Sequence, residues 1–200
     1  MKLYFVRHGK SEANLLHEFS NRGFKHGLTK RGFQQAEQLG LNLHQIPFKK
    51  IYSSPLKRAF QTAEILKQHI NCPFEITDAL REFDTGILES KSDPESWRIH
   101  TWVLNQWLTG NWEARIPGGE SRLDIQARFK PLIDKLTQNL TEENILLVGH
   151  GGIFQCMFPL IFTNVNDVSI GEFHFHHTRP IIAEVRADGL FCSRWGALKL

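Results

Sequence analysis

Short apolar runs alternate along the chain with stretches whose apolar residues recur at helical spacing. Residues 3–6, 51–53 and 145–148 are the clearest strands, each an apolar run too short for a helix. After the first, Thr29 is placed to cap a helix that presents Phe33, Ala36, Gly40 and Leu43 on one face. After the second, Ser54-Pro55 reads as an N-cap with proline at the first helical position, and Leu56, Ala59, Ala63 and Leu66 continue the apolar stripe. A third helix is expected from Ser121 to about Leu140 on the recurrence of Ile125, Phe129, Leu132, Ile133 and Leu136, with a kink or break at Pro131. Asp188-Gly189 between residues 180–187 and 190–195 predicts a hairpin, since that pair tolerates the positive φ of a tight turn. Strand-helix alternation of this kind argues for a layered α/β fold with a largely parallel sheet.

Residues 92–119 break the alternation. They hold Trp97, Trp102, Trp107 and Trp112 at steps of five. Five residues rotate by about 140° on a helix, so the four rings cannot share one buried face, and at least one should face a cleft. The segment reads as a helical excursion packed on the sheet or as a lid over a site.

Candidate chemistry sits at strand ends. Arg7-His8-Gly9 follows the first strand and Gly149-His150-Gly151-Gly152 follows the strand at 145–148. In an open parallel sheet, ligands bind in the crevice outside the carboxyl ends of strands, so the two histidines are candidates for one site. Either alone would be read as a histidine satisfied by local hydrogen bonds. Arg58 falls in the first turn of the second predicted helix, where free amides and the helix dipole already favour an anion. A cation about 4 Å from a phosphoryl charge, at an effective dielectric near 20, contributes on the order of 4 kcal/mol, so Arg7 and Arg58 together are a strong anion trap. Glu82, Asp84 and Glu89 form a carboxylate cluster expected outside regular structure, and one of them held neutral could serve as a general acid.

Composition narrows the setting without deciding the chemistry. A net charge of +3 with no run of one sign gives no case for nucleic acid. Cys72, Cys156 and Cys192 are unpaired in number and widely spaced, which suits a reducing compartment better than a disulfide framework. No apolar stretch approaches the roughly 20 residues of a membrane span, and the amino-terminal run is too short for a secretory signal. A cytoplasmic protein without membrane attachment is expected.

Six ordered segments together resemble the histidine phosphatase superfamily, related to the cofactor-dependent phosphoglycerate mutases, over nearly the whole chain. They are Val6-Arg7-His8-Gly9 through Asn14, Leu28-Thr29-Lys30-Arg31-Gly32 to Gln35-Ala36, and Ser53-Ser54-Pro55-Leu56-Lys57-Arg58-Ala59 to Ala63. Leu80 to Gly86 with Glu89, Pro117-Gly118-Gly119-Glu120-Ser121 and Val148-Gly149-His150-Gly151-Gly152 complete the set. The resemblance implies a phosphoglycerate mutase-like three-layer α/β/α sandwich with a mostly parallel sheet, one domain over residues 1–200 and a lid-like helical insertion at about 87–119. It implies that His8 is a nucleophile forming a phosphohistidine, that Arg7, Arg58 and a charged His150 hold the phosphoryl group, that Asn14 helps bind it, and that Glu82 is the proton donor. No metal or other cofactor is implied.

Departures from the family pattern fall at the substrate end: Lys10, Ser90, Ser20-Asn21 and Lys25. Ser20, Asn21, Arg22, Lys25 and Gly151 are therefore candidate substrate contacts, with Arg22 and Lys25 suited to an additional anionic group. A small phosphate ester is the expected partner, and the chain is compatible with a monomer or a homodimer. The short chain is nearer the small phosphatases than the longer mutases. Phosphoglycerate mutase-type transfer and a non-catalytic phosphate-binding role are the alternatives within the fold. Outside it, Phe173-His174-Phe175-His176-His177 read as a strand would place His174 and His176 on one face, the start of a metal site.

Overall fold

The computed structural model describes residues 1–138 and 143–200. Its centre is a seven-stranded sheet in the order β3-β2-β4-β1-β5-β6-β7. Strands β1 (Lys2–Arg7), β2 (Phe48–Ser53), β3 (Phe74–Ile76) and β4 (Asn144–Gly149) pair in parallel and form the core of the sheet. Antiparallel β5 (Ile181–Arg186), β6 (Gly189–Trp195) and β7 (Leu198–Lys199) extend it past β1. The expected hairpin is the β5-β6 pair, with Gly189 at a φ of 129°.

The side-chain period of two in β1 and β4 separates two cores, as the pleat requires. Tyr4, Val6, Leu146 and Val148 pack with Leu39, Leu43, Ala59, Ala63 and Leu66 of α2 (Lys30–Leu43) and α3 (Lys57–Ile70). Leu3, Phe5, Ile145 and Leu147 pack on the other face with residues of α4 (Pro94–Leu108), α5 (Arg122–Thr137) and α6 (Gly151–Ile161). Helices thus cover both faces. Because both faces are buried, the central strands read as continuous apolar runs rather than alternating ones. A one-turn helix, α1 (Glu12–Leu16), follows β1 and was not anticipated. Among the described residues no helix is long and apolar enough to cross a membrane, and the three cysteines are free and buried.

Several local expectations are corrected. Thr29 does cap α2, but Phe33 is exposed, because the buried stripe runs through Gly32, Ala36, Leu39, Gly40 and Leu43. Helix α3 begins at Lys57 behind Leu56 rather than at Ser54-Pro55. The Ser54 hydroxyl accepts from the Leu56 amide but is also bonded to His150, which holds it outside the helix. Helix α5 is capped by Ser121 in a reciprocal box with Asp124 and runs through Pro131 without interruption. Proline removes one backbone bond there, but Ile125 and Phe129 before it and Ile133 and Leu136 after it are buried in one core, which keeps both halves in register. The expected continuation to Leu140 lies outside the described residues. Residues 173–177 are a loop rather than a strand.

Candidate active site

Strands β1 and β4 are neighbours in parallel register, Arg7 opposite Gly149, so the residues that follow leave the sheet side by side. The His8 amide donates to the Gly149 carbonyl at 3.1 Å, and the His8 and His150 rings meet edge to face with centroids 5.0 Å apart. Strand β2 ends on the other side of β4, and the Ser54 amide donates to the Val148 carbonyl. Three consecutive strand ends therefore deliver His8, His150 and Ser54 to one crevice. The loop after His8 lies against the start of α2 so closely that a Cβ on Gly9 would sit 2.5 Å from the Gly32 carbonyl oxygen, and one on Gly32 would sit 2.1 Å from that of Lys10. Both positions need glycine for this approach.

His8 is buried at 3% exposure, and its surroundings dictate its tautomer. Nδ1 lies 2.7 Å from the Gly9 carbonyl oxygen and must donate to it. Nε2 accepts from Nε of Arg58 at 3.1 Å and is therefore the unprotonated nitrogen. Burial, followed by the positive charge of Arg58, pushes the imidazole well below its ordinary pKa of 6.5. Arg58 is held by the Ser20 carbonyl at 2.6 Å and by Oδ1 of Asn21 at 3.3 Å, and desolvation lowers it to about 10, still a cation at neutral pH.

Arg7 donates from Nη1 to the Phe175 carbonyl at 2.8 Å, while its Nε is buried without a hydrogen-bond partner among the described residues. In His150, Nε2 lies 2.7 Å from Oγ of Ser54, and Nδ1 is buried without a partner among the described residues. The Ser54 hydroxyl thus joins the Leu56 N–H to the His150 ring, and the direction of its bond to Nε2 follows the imidazole tautomer. Burial, then Arg58 and Arg7, hold His150 well below 6.5, so the ring is neutral rather than charged in the protein alone.

Glu82 lies across the amino end of α6. Its carboxyl oxygens accept from the amides of Ile153 at 2.7 Å, Gly152 at 2.9 Å and Phe83 at 3.1 Å. Desolvation raises this carboxyl above its ordinary pKa, although the three amides and Arg58 pull the other way.

Arg7, His8, Arg58 and Glu82 line one cavity of about 430 Å³ together with Asn14, Ser20, Asn21 and Gly151. His150 backs the His8 ring rather than contributing to the wall. Oδ1 of Asn14 is committed to the Ser11 amide and hydroxyl at the cap of α1. Asn21 is braced by Glu89 and the Phe83 carbonyl as well as by Arg58. Arg22 and Lys25 do not line the cavity. Arg22 is paired with Asp84 and the Gly118 carbonyl, and Lys25 with Glu18.

Other wall residues went unnoticed in the sequence. His100 of α4, pushed down to about 4 by burial, lines the cavity beside Trp97, as do Phe19 and Phe83. Trp97 is the cleft-facing ring that the spacing required, and Trp107 is buried. The loop 173–177 lies on the site instead of forming an edge strand. His177 approaches the His8 carbonyl through Nδ1 at 2.8 Å and is lowered to about 4 by burial and Arg7. The His174 and His176 rings still lie 5.8 Å apart between centroids without a strand, but among the described residues no third histidine, cysteine or carboxylate joins them in a metal-binding group. No tract of like residues marks any of these positions. His177 alone carries a signal, as part of a histidine-rich run.

A buried crevice lined by Arg7 and Arg58 at the carboxyl ends of parallel strands is where open α/β sheets bind their ligands. The profile of the histidine phosphatase superfamily, branch 1, matches residues 3–197, and the chain belongs to that superfamily. It is 36% identical over 157 residues to the 6-phosphofructo-2-kinase/fructose-2,6-bisphosphatase of Aquarana catesbeiana, a match covering 78% of this chain but only 31% of that protein. It is 31% identical over 167 residues to the "Probable phosphoglycerate mutase GpmB" of Salmonella choleraesuis, covering 80% and 74% of the two chains. Among solved structures, YhfR of Bacillus stearothermophilus superimposes with a TM-score of 0.82 at 25% identity, covering 99% and 98% of the chains. The fold is accordingly phosphoglycerate mutase-like.

Proposed function

We propose that the protein is a phosphomonoester hydrolase that turns over through a phosphohistidine on Nε2 of His8 and needs no metal ion. The observation that carries this reading is the His8 ring itself: Nδ1–H tied to the Gly9 carbonyl, Nε2 unprotonated and accepting from Arg58, and Arg7 lining the same cavity. In the first step the Nε2 lone pair forms the N–P bond as the P–O bond to the alcohol breaks. Arg7 and Arg58 hold the equatorial oxygens, and a phosphoryl dianion on His8 draws the neighbouring His150 back towards its protonated form. Glu82, whose carboxyl burial pushes above its ordinary pKa, gives its proton to the departing alkoxide. In the second step Glu82 takes a proton from water as the water oxygen attacks phosphorus and the N–P bond breaks. Inorganic phosphate leaves. Helix α4 and the residues around it, about 87–119, act as a cover over this cavity.

The test is rapid quench of the enzyme with a phosphate ester followed by intact mass measurement. An added phosphoryl group that is labile to acid, and absent in His8→Ala, is expected, together with at least a 10,000-fold loss of turnover as an order of magnitude. Equal turnover by His8→Ala overturns the reading. The same assay with 3-phosphoglycerate and a trace of 2,3-bisphosphoglycerate separates phosphate release from isomerisation, the activity named for the Salmonella relative.

A further inference from the structure

The phosphoryl end of the cavity is cationic, but its other walls are not. Among the described residues the only arginines or lysines lining it are Arg7 and Arg58. Lys25 and Arg22, the nearest candidates for a second anion, are turned onto Glu18 and Asp84, and Glu18 itself lines the cavity as a carboxylate that the Lys25 hydrogen bond holds below its ordinary pKa. A second phosphate would thus leave water without gaining a free cation.

What the walls do offer is aromatic faces. Phe19 lies 4.2 Å from Trp97 and 5.1 Å from His100 between centroids, and Phe83 stacks on His100 at 5.5 Å with planes 13° apart. All four rings line the cavity. Phe19 and Phe83 are only 4% and 2% exposed, so the inner rings are fixed, whereas Trp97 at 37% presents surface. The indole is oriented by its own bond to the His17 carbonyl at 3.0 Å. His100 is neutral and behaves as one more aromatic ring. Phe173 and Phe175, both packed on Trp195, add aromatic surface to the same cavity.

Building on the phosphoryl site proposed above, we infer that the substrate is a monophosphate ester whose alcohol carries a planar, uncharged ring, held by Trp97 and His100. A preorganised aromatic wall gains from an offset or edge-on ring beyond area burial, and it offers no such gain to a saturated ring or a second phosphate. Trp97 and His100 are then specificity-determining residues, which gives α4 a role at the substrate end.

The experiment uses phosphonates, which cannot be hydrolysed, so that binding is read apart from chemistry. Dissociation constants are measured for 3-phenylpropylphosphonate, 3-cyclohexylpropylphosphonate and propane-1,3-bisphosphonate. The phenyl compound is expected to bind about three- to tenfold tighter than the cyclohexyl one, although the latter is the more apolar, and the bisphosphonate to bind more weakly than either. Trp97→Leu and His100→Leu should each bring the phenyl-to-cyclohexyl ratio towards one, while Trp102→Leu, on an exposed position away from the cavity, keeps it. Equal binding of the two rings, tighter binding of the bisphosphonate, or a ratio untouched by both substitutions overturns the inference. The corresponding phosphate esters separate it from the hydrolase reading. If the ring preference holds while neither ester is cleaved, the ring site stands and the hydrolase falls. If both esters are cleaved with equal kcat/KM and no ring preference is seen, the reverse is true.

Discussion

Gly152 carries little by itself, yet Glu82 depends on it. A Cβ there would stand 2.8 and 2.9 Å from the two carboxyl oxygens of Glu82 and 2.8 Å from the Phe83 ring. The carboxyl cannot swing aside without giving up its bonds to the Gly152 and Ile153 amides. Gly152→Ala should therefore displace the proposed proton donor while leaving His8 and both arginines in place. We expect kcat to fall by about 100-fold or more, the scale of a general acid, with phosphohistidine still formed from an ester of an acidic phenol that needs no proton. Turnover of an alkyl phosphate within twofold of wild type would remove Glu82 from the mechanism. At this scale the sequence named candidate residues that the fold brings to one cavity, but not the atoms they present. Arg7, His8, Arg58 and Glu82 were legible from their motifs, whereas the unprotonated nitrogen of His8 was not, because it depends on the Gly9 carbonyl folding back under the ring and on Arg58 arriving from a helix fifty positions away. Ser54 shows the opposite error: read as a helix cap by its local neighbours, it is claimed by a histidine distant in sequence.

The elements were legible where an apolar period had one explanation. The central strands are buried on both faces and so announce themselves as unbroken apolar runs. Residues 173–177 misled because alternating Phe and His imitate a half-buried strand. Their backbone is committed elsewhere: the Phe175 carbonyl accepts from Arg7, and the amide of the following Thr178 donates to the Arg7 carbonyl. Arg122 is the element-level feature that periodicity could not reveal. It is buried at 1% exposure at the start of α5, where it pairs with Asp167 at 2.6 Å, donates to the carbonyls of Trp107 and Cys156, and lies over the Trp112 ring. One side chain thereby joins the end of α4, the start of α5, α6 and the loop before Ser169. Removing one partner of a buried, multiply bonded charge costs about 3–5 kcal/mol. Arg122→Ala should lose about that much in denaturant unfolding, since its carbonyl partners are left unpaired. A loss below about 1 kcal/mol would show that the clasp contributes little.

For the whole molecule, the site imposes a pH dependence on stability. His8 and His150 are held well below 6.5, and His100 and His177 at about 4, in each case chiefly by burial. As pH falls below about 6.5, the unfolded chain takes up a proton at each of these positions while the folded chain does not. A folded-state pKa that is depressed in this way makes stability full above the unfolded value and lowers it progressively on acidification, by about 1.36 kcal/mol per pH unit for each such group. Glu82 acts in the opposite sense. Its raised pKa means that the folded state binds a proton first, which favours folding as pH drops through that value. Four imidazoles against one carboxyl leave a net loss, so unfolding free energy should fall steeply between pH 6.5 and 5, with a proton uptake on unfolding of about two to four. His100→Phe keeps an aromatic ring in place and removes one titrating group, so it should flatten that slope by about one proton without shifting stability in the same direction at pH 8. Denaturant melts of the two proteins at pH 8, 6 and 5 measure this. Parallel stability curves would mean that His100 titrates alike in the folded and unfolded chains, and the aromatic wall it joins would then be wetter than its packing implies.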